Sequence, residues 1–348
     1  MHFTEFALNK PILKAIFEKN YDTPTDVQKE TIPLVLAKKD VVVSAQTGTG
    51  KTAAFALPIL QLLFHQQDAS SNVKHIRALV ISPTRELAVQ IEEEFKDYGK
   101  YTHLKSTCVF GGTSIEAQKN ILRKGVDILI ATPGRLLDLR KQEVINFDKV
   151  EVLVLDEADL MLDMGFIDDV QKIERMCPET KQTLMISATM PAKVVQLART
   201  ILTEPERVEI TPSVAAAKSV NQLVYYVPKP DKIELCLQLL RKEIEGNILI
   251  FRRTKNGVEK LEQTLLKNNF KAESLHGDKT QSARQKALNS FKNGEVNILI
   301  ATDVASRGID IEDLDAVINF DLPNVPETYI HRIGRTGRAG RTGTSHSF

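Results

Sequence analysis

The sequence predicts an α/β fold with two domains, each built on a mostly parallel β-sheet with helices on both faces. First, 348 residues are too many for one ordinary hydrophobic core, which seldom grows past about 250 to 300 residues. Second, short apolar runs rich in β-branched residues alternate along the chain with longer helical patterns. Third, these runs are continuously apolar, which is typical of parallel strands that helices cover on both faces.

The first domain is expected at residues 1–210, where six apolar runs predict its strands. The predicted strands are residues 41–44, 78–82, 107–110, 128–131, 152–155 and 184–187. Residues 211–219 have small side chains, one proline and no strand pattern, so we expect the domain linker there. A flexible linker of this length would keep the two domains tethered and free to reorient.

The second domain is expected at residues 220–348, where the same alternation continues. The predicted strands are residues 223–227, 248–251, 272–275, 298–301, 316–320 and 345–348. The pentapeptide Ile-Leu-Ile-Ala-Thr occurs at residues 128–132 and again at 298–302, each time at the end of a predicted strand. This match suggests two copies of one fold, although a match this short is also compatible with coincidence.

Composition argues against several classes of protein. A hydrophobic content of 42% and a charged content of 26% are those of an average globular protein, not of a disordered or fibrous chain. The net charge of +1 gives no overall attraction to nucleic acid, so any binding of a phosphate backbone must come from local clusters. Cys108, Cys177 and Cys236 lie far apart without metal-ligand spacing, which predicts reduced thiols. No run reaches the roughly 18 apolar residues of a membrane helix, so we expect a cytoplasmic protein.

A glycine-rich loop follows the first predicted strand and precedes a helical pattern. After Ala45, its residues are Gln46, Thr47, Gly48, Thr49, Gly50, Lys51 and Thr52. Here the backbone N–H groups of the loop and the helix N-terminus would face the phosphates of a nucleotide, Lys51 would add positive charge, and Thr52 would ligate Mg²⁺. The strict GxxxxGK[ST] pattern has glycine where Ala45 stands, so an ordinary glycine turn is the alternative interpretation.

Two adjacent acids, Asp156 and Glu157, follow the predicted strand at residues 152–155. Acids also favour the first turn of any helix, so an ordinary helix start is one interpretation. With a phosphate loop in the same domain, the better interpretation is that Asp156 ligates Mg²⁺ and Glu157 activates water. Both motifs fall at the carboxyl ends of predicted strands, where parallel α/β sheets bind their ligands. The sequence therefore predicts a site of nucleotide hydrolysis.

With these motifs, the chain resembles a DEAD-box ATP-dependent RNA helicase, and the resemblance extends from Phe3 to the end of the sequence. It implies that the two domains are RecA-like and that they close on ATP and single-stranded RNA. The implied cofactors are ATP and Mg²⁺, and the implied partners are single-stranded and duplex RNA. We expect a monomer.

The N-terminal region resembles the adenine-binding motif of this family. The residues that match are Phe3, Tyr21 and Gln28, of which an aromatic ring would pack on the base and the glutamine amide would pair with the edge of the base. Thr25 and Gln28 also have the spacing of a capping box at a helix start, a role that needs no nucleotide. The two roles are compatible.

Ser187 and Thr189 resemble the family motif whose hydroxyl groups bond to Asp159 and couple hydrolysis to strand separation. Serine and threonine are also preferred helix N-caps in any protein, so capping is the alternative interpretation.

Further residues match the family positions that contact the RNA backbone. In the first domain they are Pro83, Thr84, Arg85, Gly111, Gly112, Thr132 and Arg135; in the second they are Phe251, Arg284, Thr302 and Asp303. Gly308 and Asp310 are expected near the ATP ribose. Backbone N–H groups, hydroxyls and arginines suit contacts that hold a strand without reading its sequence.

Arg335 and Arg338 lie three residues apart at a predicted helix end, so both side chains could point toward one place. A basic surface turn is the alternative. The resemblance makes them arginine fingers on the γ-phosphate, an effect of about 10³ to 10⁵ in rate.

The resemblance implies an RNA-dependent ATPase that unwinds short RNA duplexes locally through ATP-driven closure of the two domains. The alternative is an ATP-gated RNA clamp, or an RNP-remodelling factor that seldom unwinds, and the motifs do not separate the two. A DNA-translocating motor is disfavoured because the resemblance is to the RNA branch.

Overall fold

The computed structural model describes residues 1–46, 48–64, 75–210, 220–306, 311, 314–337 and 342–348. The chain divides into two compact units, Met1–Thr211 (unit 1) and Pro212–Phe348 (unit 2). Each unit contains one sheet in which neighbouring strands run parallel, and this confirms the predicted α/β class. The predicted linker at residues 211–219 lies outside the described residues.

The sheet of unit 1 has seven strands in the order β3-β4-β2-β5-β6-β1-β7. Their bounds are Val41–Ser44 (β1), Ala78–Ile81 (β2), Ser106–Val109 (β3), Ile128–Ala131 (β4), Val152–Leu155 (β5), Gln182–Ser187 (β6) and Glu206–Glu209 (β7). The first six match predicted strands within two residues. Strand β7 was not predicted, because it pairs with β1 at the sheet edge and buries only Val208, so it has no apolar run.

Helices cover both faces of the unit 1 sheet. Their bounds are Lys10–Glu18 (α1), Asp26–Leu36 (α2), Lys51–Phe64 (α3), Arg85–Tyr98 (α4), Ile115–Leu122 (α5), Pro133–Lys141 (α6), Ala158–Asp163 (α7), Ile167–Arg175 (α8) and Ala192–Ile201 (α9). A short 3₁₀ helix, Phe3–Glu5, precedes them. In β4, Ile128 and Ile130 enter one hydrophobic core, while Leu129 and Ala131 enter the core on the opposite face. This two-sided burial is why the strand reads as a continuous apolar run.

The sheet of unit 2 has six strands in the order β10-β11-β9-β12-β13-β8. Their bounds are Val220–Val224 (β8), Ile248–Phe251 (β9), Ala272–Leu275 (β10), Ile298–Ala301 (β11), Ala316–Asn319 (β12) and Gly343–Ser347 (β13). The largest offset from prediction is β8, which begins three residues earlier than expected. It is an edge strand with four of its five residues exposed, so burial does not mark its ends in the sequence.

Helices also cover both faces of the unit 2 sheet, over two separate cores. Their bounds are Lys232–Lys242 (α10), Lys255–Lys267 (α11), Gln281–Lys292 (α12), Asp303–Ser306 (α13) and Pro326–Ile333 (α14). A short 3₁₀ helix, Lys229–Asp231, precedes α10. Across the described ranges of both units, no helix combines the length and the apolar character needed to cross a membrane.

Candidate functional site

The loops at the carboxyl edge of the unit 1 sheet fall into two neighbouring groups. Strands β3, β4 and β2 are adjacent, and strands β5, β6 and β1 are adjacent beside them. We call the loops after β3, β4 and β2 the β4 half, and the loops after β5, β6 and β1 the β1 half. The predicted RNA contacts of unit 1 all lie in the β4 half, whereas the phosphate loop, the paired acids and the Ser187 motif all lie in the β1 half. Because ligands of parallel sheets bind at this edge, strand order gives the two predicted functions adjacent places.

The phosphate loop folds back on itself between β1 and α3. Gly48 and Gly50 have φ values of 81° and 85°, a left-handed conformation that glycine adopts without strain. The hydroxyl of Thr49 donates to the carbonyl oxygen of Gln46 at 2.8 Å. The Lys51 ammonium group, 8% exposed, donates to the carbonyl oxygen of Ala45 at 2.9 Å. An ammonium group has three N–H donors, so Lys51 keeps donors for an anion. Thr47 lies outside the described residues.

The start of helix α2 is bonded to this loop. The backbone N–H of Thr25 donates to Gln28 Oε1 at 3.0 Å in a capping box, which confirms the predicted cap. The Thr25 hydroxyl donates to the carbonyl oxygen of Thr49 at 2.8 Å, and Gln28 Nε2 donates to that of Gly50 at 3.1 Å. A Cβ atom at position 50 would clash with the Gln28 amide. The adenine contact of Gln28 stays a prediction, and the structure places this amide against the phosphate loop.

The two predicted aromatic partners of adenine differ in exposure. Phe3 is 1% exposed and packs edge to face on Phe6, with ring centroids 6.1 Å apart. Tyr21, in contrast, is 43% exposed. The structure therefore gives Phe3 a place in the hydrophobic core, and the predicted stacking of either ring on a base stays a prediction.

The paired acids lie between β5 and α7. Asp156 is 3% exposed, and its Oδ1 accepts from the backbone N–H of Glu157 at 3.0 Å. Burial raises the pKa of the Asp156 carboxyl to about 7; the Glu157 charge adds to this rise and the Lys51 charge opposes it. Glu157 has a φ of 50°, which is uncommon for a residue with a side chain. This backbone conformation turns the chain from the strand into helix α7 directly after the buried acid.

The residues at this place fit a magnesium ion. Mg²⁺ takes oxygen ligands and usually keeps several waters, so one or two protein oxygens suffice. Asp156 offers a buried carboxylate, and a nearby cation would offset the cost of ionising it there. Thr52 lies in the first turn of α3, next to Lys51. In the described part of the chain, no group of three or more His, Cys, Asp or Glu side chains is placed to hold a metal ion.

Asp159 is hydrogen-bonded to the loop after β6. Its Oδ2 accepts from the hydroxyl of Thr189 at 2.7 Å and from the backbone N–H of Thr189 at 2.9 Å. The backbone N–H of Asp159 donates to the hydroxyl of Ser187 at 3.2 Å. The predicted hydrogen bonds among these residues are thus present, and their role in coupling stays a prediction.

In the β4 half, the loops after β2 and β3 meet through Arg85. Thr84, which follows the buried Pro83, caps helix α4 by accepting from the backbone N–H of Leu87 at 3.3 Å. The guanidinium of Arg85 lies against Gly112, where an added Cβ atom would clash with it. Gly112 has a φ of 79°, so its backbone favours glycine, whereas the guanidinium that a Cβ atom would meet is the end of a flexible side chain. Gly111 adjoins the same guanidinium, at 3.7 Å from an added Cβ.

Helix α6, which follows β4, is joined to helix α5 and to the loop after β3 through Arg135. Its Nη1 donates to Gln118 Oε1 at 2.8 Å, and its Nη2 donates to the carbonyl oxygen of Thr113 at 3.0 Å. Thr132 occupies the N-cap position of α6 without a side-chain capping bond. Gln118 was not predicted as part of this site, because a single glutamine within a helical pattern gives no local indication of its partners.

In unit 2, the buried guanidinium of Arg332 organises the ends of three strands. It is 3% exposed, and its Nε and Nη2 donate to the two carboxylate oxygens of Asp303 at 2.6 and 2.7 Å. Nη1 donates to Asn319 Oδ1 at 3.1 Å and to the carbonyl oxygen of Asp321 at 2.7 Å. The guanidinium also lies over the ring of Phe251, 4.7 Å from its centroid. Phe251 and Asp303, predicted to contact RNA, are therefore both in contact with Arg332.

The other predicted residues of unit 2 lie on separate elements. Helix α14 ends at Ile333, so Arg335 lies in the turn beyond the helix, and it is 8% exposed. Thr302 lies between β11 and α13, and Arg284 lies on α12. Three predicted residues of unit 2 lie outside the described part of the chain: Gly308, Asp310 and Arg338.

Comparison with protein families gives two matches that together cover most of the chain. The DEAD/DEAH box helicase family matches residues 25–198, and the helicase conserved C-terminal domain matches residues 231–340. The DEAD-box ATP-dependent RNA helicase RhpA of Helicobacter pylori is 44% identical over 334 residues, which cover 96% of this chain and 66% of RhpA. The DEAD-box ATP-dependent RNA helicase CshA of Bacillus subtilis is 42% identical over 346 residues, which cover 99% of this chain and 69% of CshA. The chain thus spans about two thirds of the length of these relatives.

Solved structures with similar folds cover the chain as well. Saccharomyces cerevisiae Dbp5 bound to RNA and ADP BeF3 is 31% identical, with a TM-score of 0.88 over 100% of this chain and 89% of that chain. A hypothetical ATP-dependent RNA helicase from Sulfolobus tokodaii is 41% identical, with a TM-score of 0.54 over 98% of this chain and 96% of that chain.

Proposed function

This chain belongs to the DEAD/DEAH box helicase family, and from that premise we propose that it is an RNA-dependent ATPase that unwinds short RNA duplexes locally. ATP and single-stranded RNA both favour a closed arrangement of the predicted domains 1–210 and 220–348, because each ligand makes more contacts there. Residues 211–219 link the domains. Hydrolysis of ATP resets the open arrangement and releases the RNA.

The strand order of unit 1 carries this proposal. The β1 half brings together a phosphate loop around a buried lysine, a buried acid followed by a second acid, and the Asp159 contact with the loop after β6. The β4 half lies beside it and presents a capped helix start, a tight glycine pair and two arginines. A nucleotide and a polynucleotide therefore have adjacent places on one sheet edge, and both places have contacts suited to phosphates.

Each residue of the β1 half has a role in the proposed reaction. Lys51 neutralises phosphate charge, and the N–H groups of the loop bind phosphate oxygens. Asp156 and Thr52 hold Mg²⁺, which when bound supplies further neutralisation of phosphate charge. Glu157 orients the attacking water and accepts its proton. Asp159, fixed by Thr189, transmits the state of this site to the loop after β6.

In the β4 half, the contacts suit an RNA backbone and not its bases. Arg85 supplies positive charge, and its guanidinium lies against the tight turn at Gly112. Such contacts hold a single strand without reading its sequence. Arg335 and Arg338 of the second domain supply positive charge to the γ-phosphate in the closed arrangement.

The test of this function is steady-state ATPase activity, measured with no nucleic acid, with single-stranded RNA and with single-stranded DNA. We expect stimulation by RNA, and displacement of a strand from a short RNA duplex only when ATP is present. Glu157→Gln should lower kcat by about 10²- to 10⁴-fold and retain ATP-dependent RNA binding, because only the general base is lost.

Three other outcomes are informative. ATPase activity that is indifferent to RNA would overturn the proposal. Stimulation without displacement, together with retained RNA binding by Glu157→Gln, would instead establish an ATP-gated clamp. Equal displacement of DNA duplexes in the absence of RNA would favour a DNA motor.

A further inference from the structure

We propose that Gln118 is a positioning residue for the RNA-contacting surface of unit 1. Its buried amide joins Arg135 to the loop of residues 110–113, and it holds the two in one geometry before RNA binds. This inference rests on the proposed function, because it assigns a role within the same RNA surface. Neither the family resemblance nor the sequence analysis assigned a role to this residue.

The amide of Gln118 is buried and uses all of its N–H donors. The residue is 7% exposed, and its Oε1 accepts from Arg135 Nη1 at 2.8 Å. Its Nε2 donates to the carbonyl oxygen of Phe110 at 3.0 Å and to the hydroxyl of Thr113 at 2.7 Å. Arginine only donates and a carbonyl only accepts, so the partners fix which end of the amide faces which way. No flipped amide would satisfy both partners.

These bonds belong to a closed network that joins three elements. The guanidinium of Arg135 also donates to the carbonyl oxygen of Thr113 at 3.0 Å. The hydroxyl of Thr113 donates to the carbonyl oxygen of Phe110 at 3.3 Å. Helix α5, helix α6 and the loop after β3 are therefore held together by side-chain bonds around one amide. Among the described residues Arg135 Nε has no partner, but the Gln118 amide uses both of its N–H donors and its oxygen, and these bonds restrict the arrangement of the groups that they join.

The loop that Gln118 holds also contains the glycine pair. Gly112 packs against the guanidinium of Arg85, and there is no room between them even for a methyl group. A shift of residues 110–113 would therefore move the backbone N–H groups of the glycine pair and change their contact with the Arg85 guanidinium. Through one amide, the predicted RNA contacts after β2, β3 and β4 share one geometry. A surface that is ordered in advance avoids the entropic cost of ordering when the strand binds.

The neutral charge of the amide matters as well. A glutamate at position 118 would still accept from Arg135, but it would cancel the positive charge of that side chain. It would also lose both donors to residues 110–113. A glutamine therefore fixes the guanidinium while leaving its charge for RNA phosphates.

The test replaces Gln118 by methionine, which has a similar length and no hydrogen-bonding amide. Gln182→Met is the matched control. The Gln182 amide is also 7% exposed and donates to the carbonyl oxygens of Val35 and Lys39, at the amino end of β6, away from the RNA surface. Both variants lose a buried amide, so both should lower the thermal midpoint.

The measured quantities are the RNA concentration for half-maximal ATPase stimulation, kcat at saturating RNA and the KM for ATP, with a short oligouridylate as the RNA. For Gln118→Met we expect the half-maximal RNA concentration to rise about tenfold while kcat and the KM for ATP are retained. Gln118→Glu should raise the half-maximal RNA concentration further, and Gln182→Met should leave this concentration unchanged. Thr113→Val, which loses one bond to the amide, should give a smaller rise and serves if Gln118→Met does not fold.

Two outcomes distinguish the positioning role of Gln118 from the proposed function of the chain. If Gln118→Met, or Thr113→Val in its place, raises the half-maximal RNA concentration no more than Gln182→Met, the positioning role is wrong while the proposed function stands. If the parent ATPase does not respond to RNA at all, the proposed function is wrong, and with it the role of Gln118 in RNA binding.

Discussion

The pentapeptide Ile-Leu-Ile-Ala-Thr appears once in each unit, and the two copies show how one strand leads to different chemistry. It forms β4 with Thr132 in unit 1 and β11 with Thr302 in unit 2. Each strand is second from one edge of its sheet, and each sends alternate side chains into two separate cores. The strands are thus equivalent in position and burial. The differences begin at the residue after threonine.

In unit 1 the chain enters helix α6, with nine residues, and Arg135 of this helix is held by a neutral amide. In unit 2 it enters the four-residue helix α13, whose first residue, Asp303, is held by the guanidinium of Arg332. The first arrangement keeps the positive charge of the arginine, whereas the second cancels it. We infer that the unit 1 network serves RNA phosphates and that the unit 2 pair chiefly serves the stability of its sheet edge.

The largest expected effect that tests this contrast is on the stability of the two arginine variants. Arg332→Ala removes a buried partner of Asp303 and Asn319, so we expect it to lower the free energy of unfolding by about 3 to 5 kcal/mol. Arg135→Ala removes a half-buried partner of a neutral amide and should cost only about 1 kcal/mol. Because the chain has no tryptophan, unfolding in urea is followed by circular dichroism.

Hydrogen exchange shows in which elements each variant loses stability. For Arg332→Ala, protection should fall in the peptides of β9, β11 and β12, where the guanidinium makes its contacts. Arg332→Lys keeps the positive charge and loses the bidentate hydrogen bond to Asp303. Its free energy of unfolding should therefore lie between those of the parent and the alanine variant. Similar losses for Arg332→Ala and Arg135→Ala would show that the two networks do not differ in kind.

A smaller effect on stability is expected in the loops after β3 and β10, the edge strands that lie beside the two pentapeptide strands β4 and β11. Gly112 follows β3, has a φ of 79° and packs against Arg85, so Gly112→Ala should cost about 1 to 3 kcal/mol and weaken RNA binding. Gly277 is the second residue after β10, the position that Gly111 holds after β3, and it has open space around it. Gly277→Ala is therefore the matched control and should change stability by less than about 0.5 kcal/mol.

Urea unfolding and RNA-stimulated ATPase activity of both glycine variants give the comparison. If Gly112→Ala were as well tolerated as Gly277→Ala, the close packing of Arg85 on the loop after β3 would not be a constraint on that loop.

Burial decided how much of this fold the sequence could predict. Strands β1, β4, β5, β9, β10 and β11 have the predicted bounds, because both of their faces are covered and the apolar run marks each end. Strand β7 was missed and β8 was displaced, since each of these two edge strands buries only one residue. Helix α14 ends at Ile333, directly before Gly334, a residue type that is common at helix ends, so Arg335 lies beyond the helix.

Local spacing decided how much of the candidate site could be predicted. The capping box of Thr25 and the hydroxyl contact of Thr189 with Asp159 follow from motifs a few residues long or from the family pattern. Gln118 meets its partner Arg135 only because β3 and β4 are neighbours, and Arg332 meets Asp303 only because α14 reaches the end of β11. Such contacts depend on sheet order, which a single sequence does not contain.

The smallest expected effect concerns the threonine that ends the unit 1 repeat. Thr132 and Thr84 both precede helices of the β4 half and are 8% and 7% exposed, but only Thr84 makes a capping bond. Thr84→Val should therefore lower the free energy of unfolding by about 1 kcal/mol, whereas Thr132→Val should change it by less than about 0.5 kcal/mol. Under the proposed function, the Thr132 hydroxyl serves the RNA backbone, so Thr132→Val should still raise the RNA concentration for half-maximal ATPase stimulation. Equal stability losses for both variants, with RNA stimulation unchanged, would mean that Thr132 supports its helix and not the strand that binds beside it.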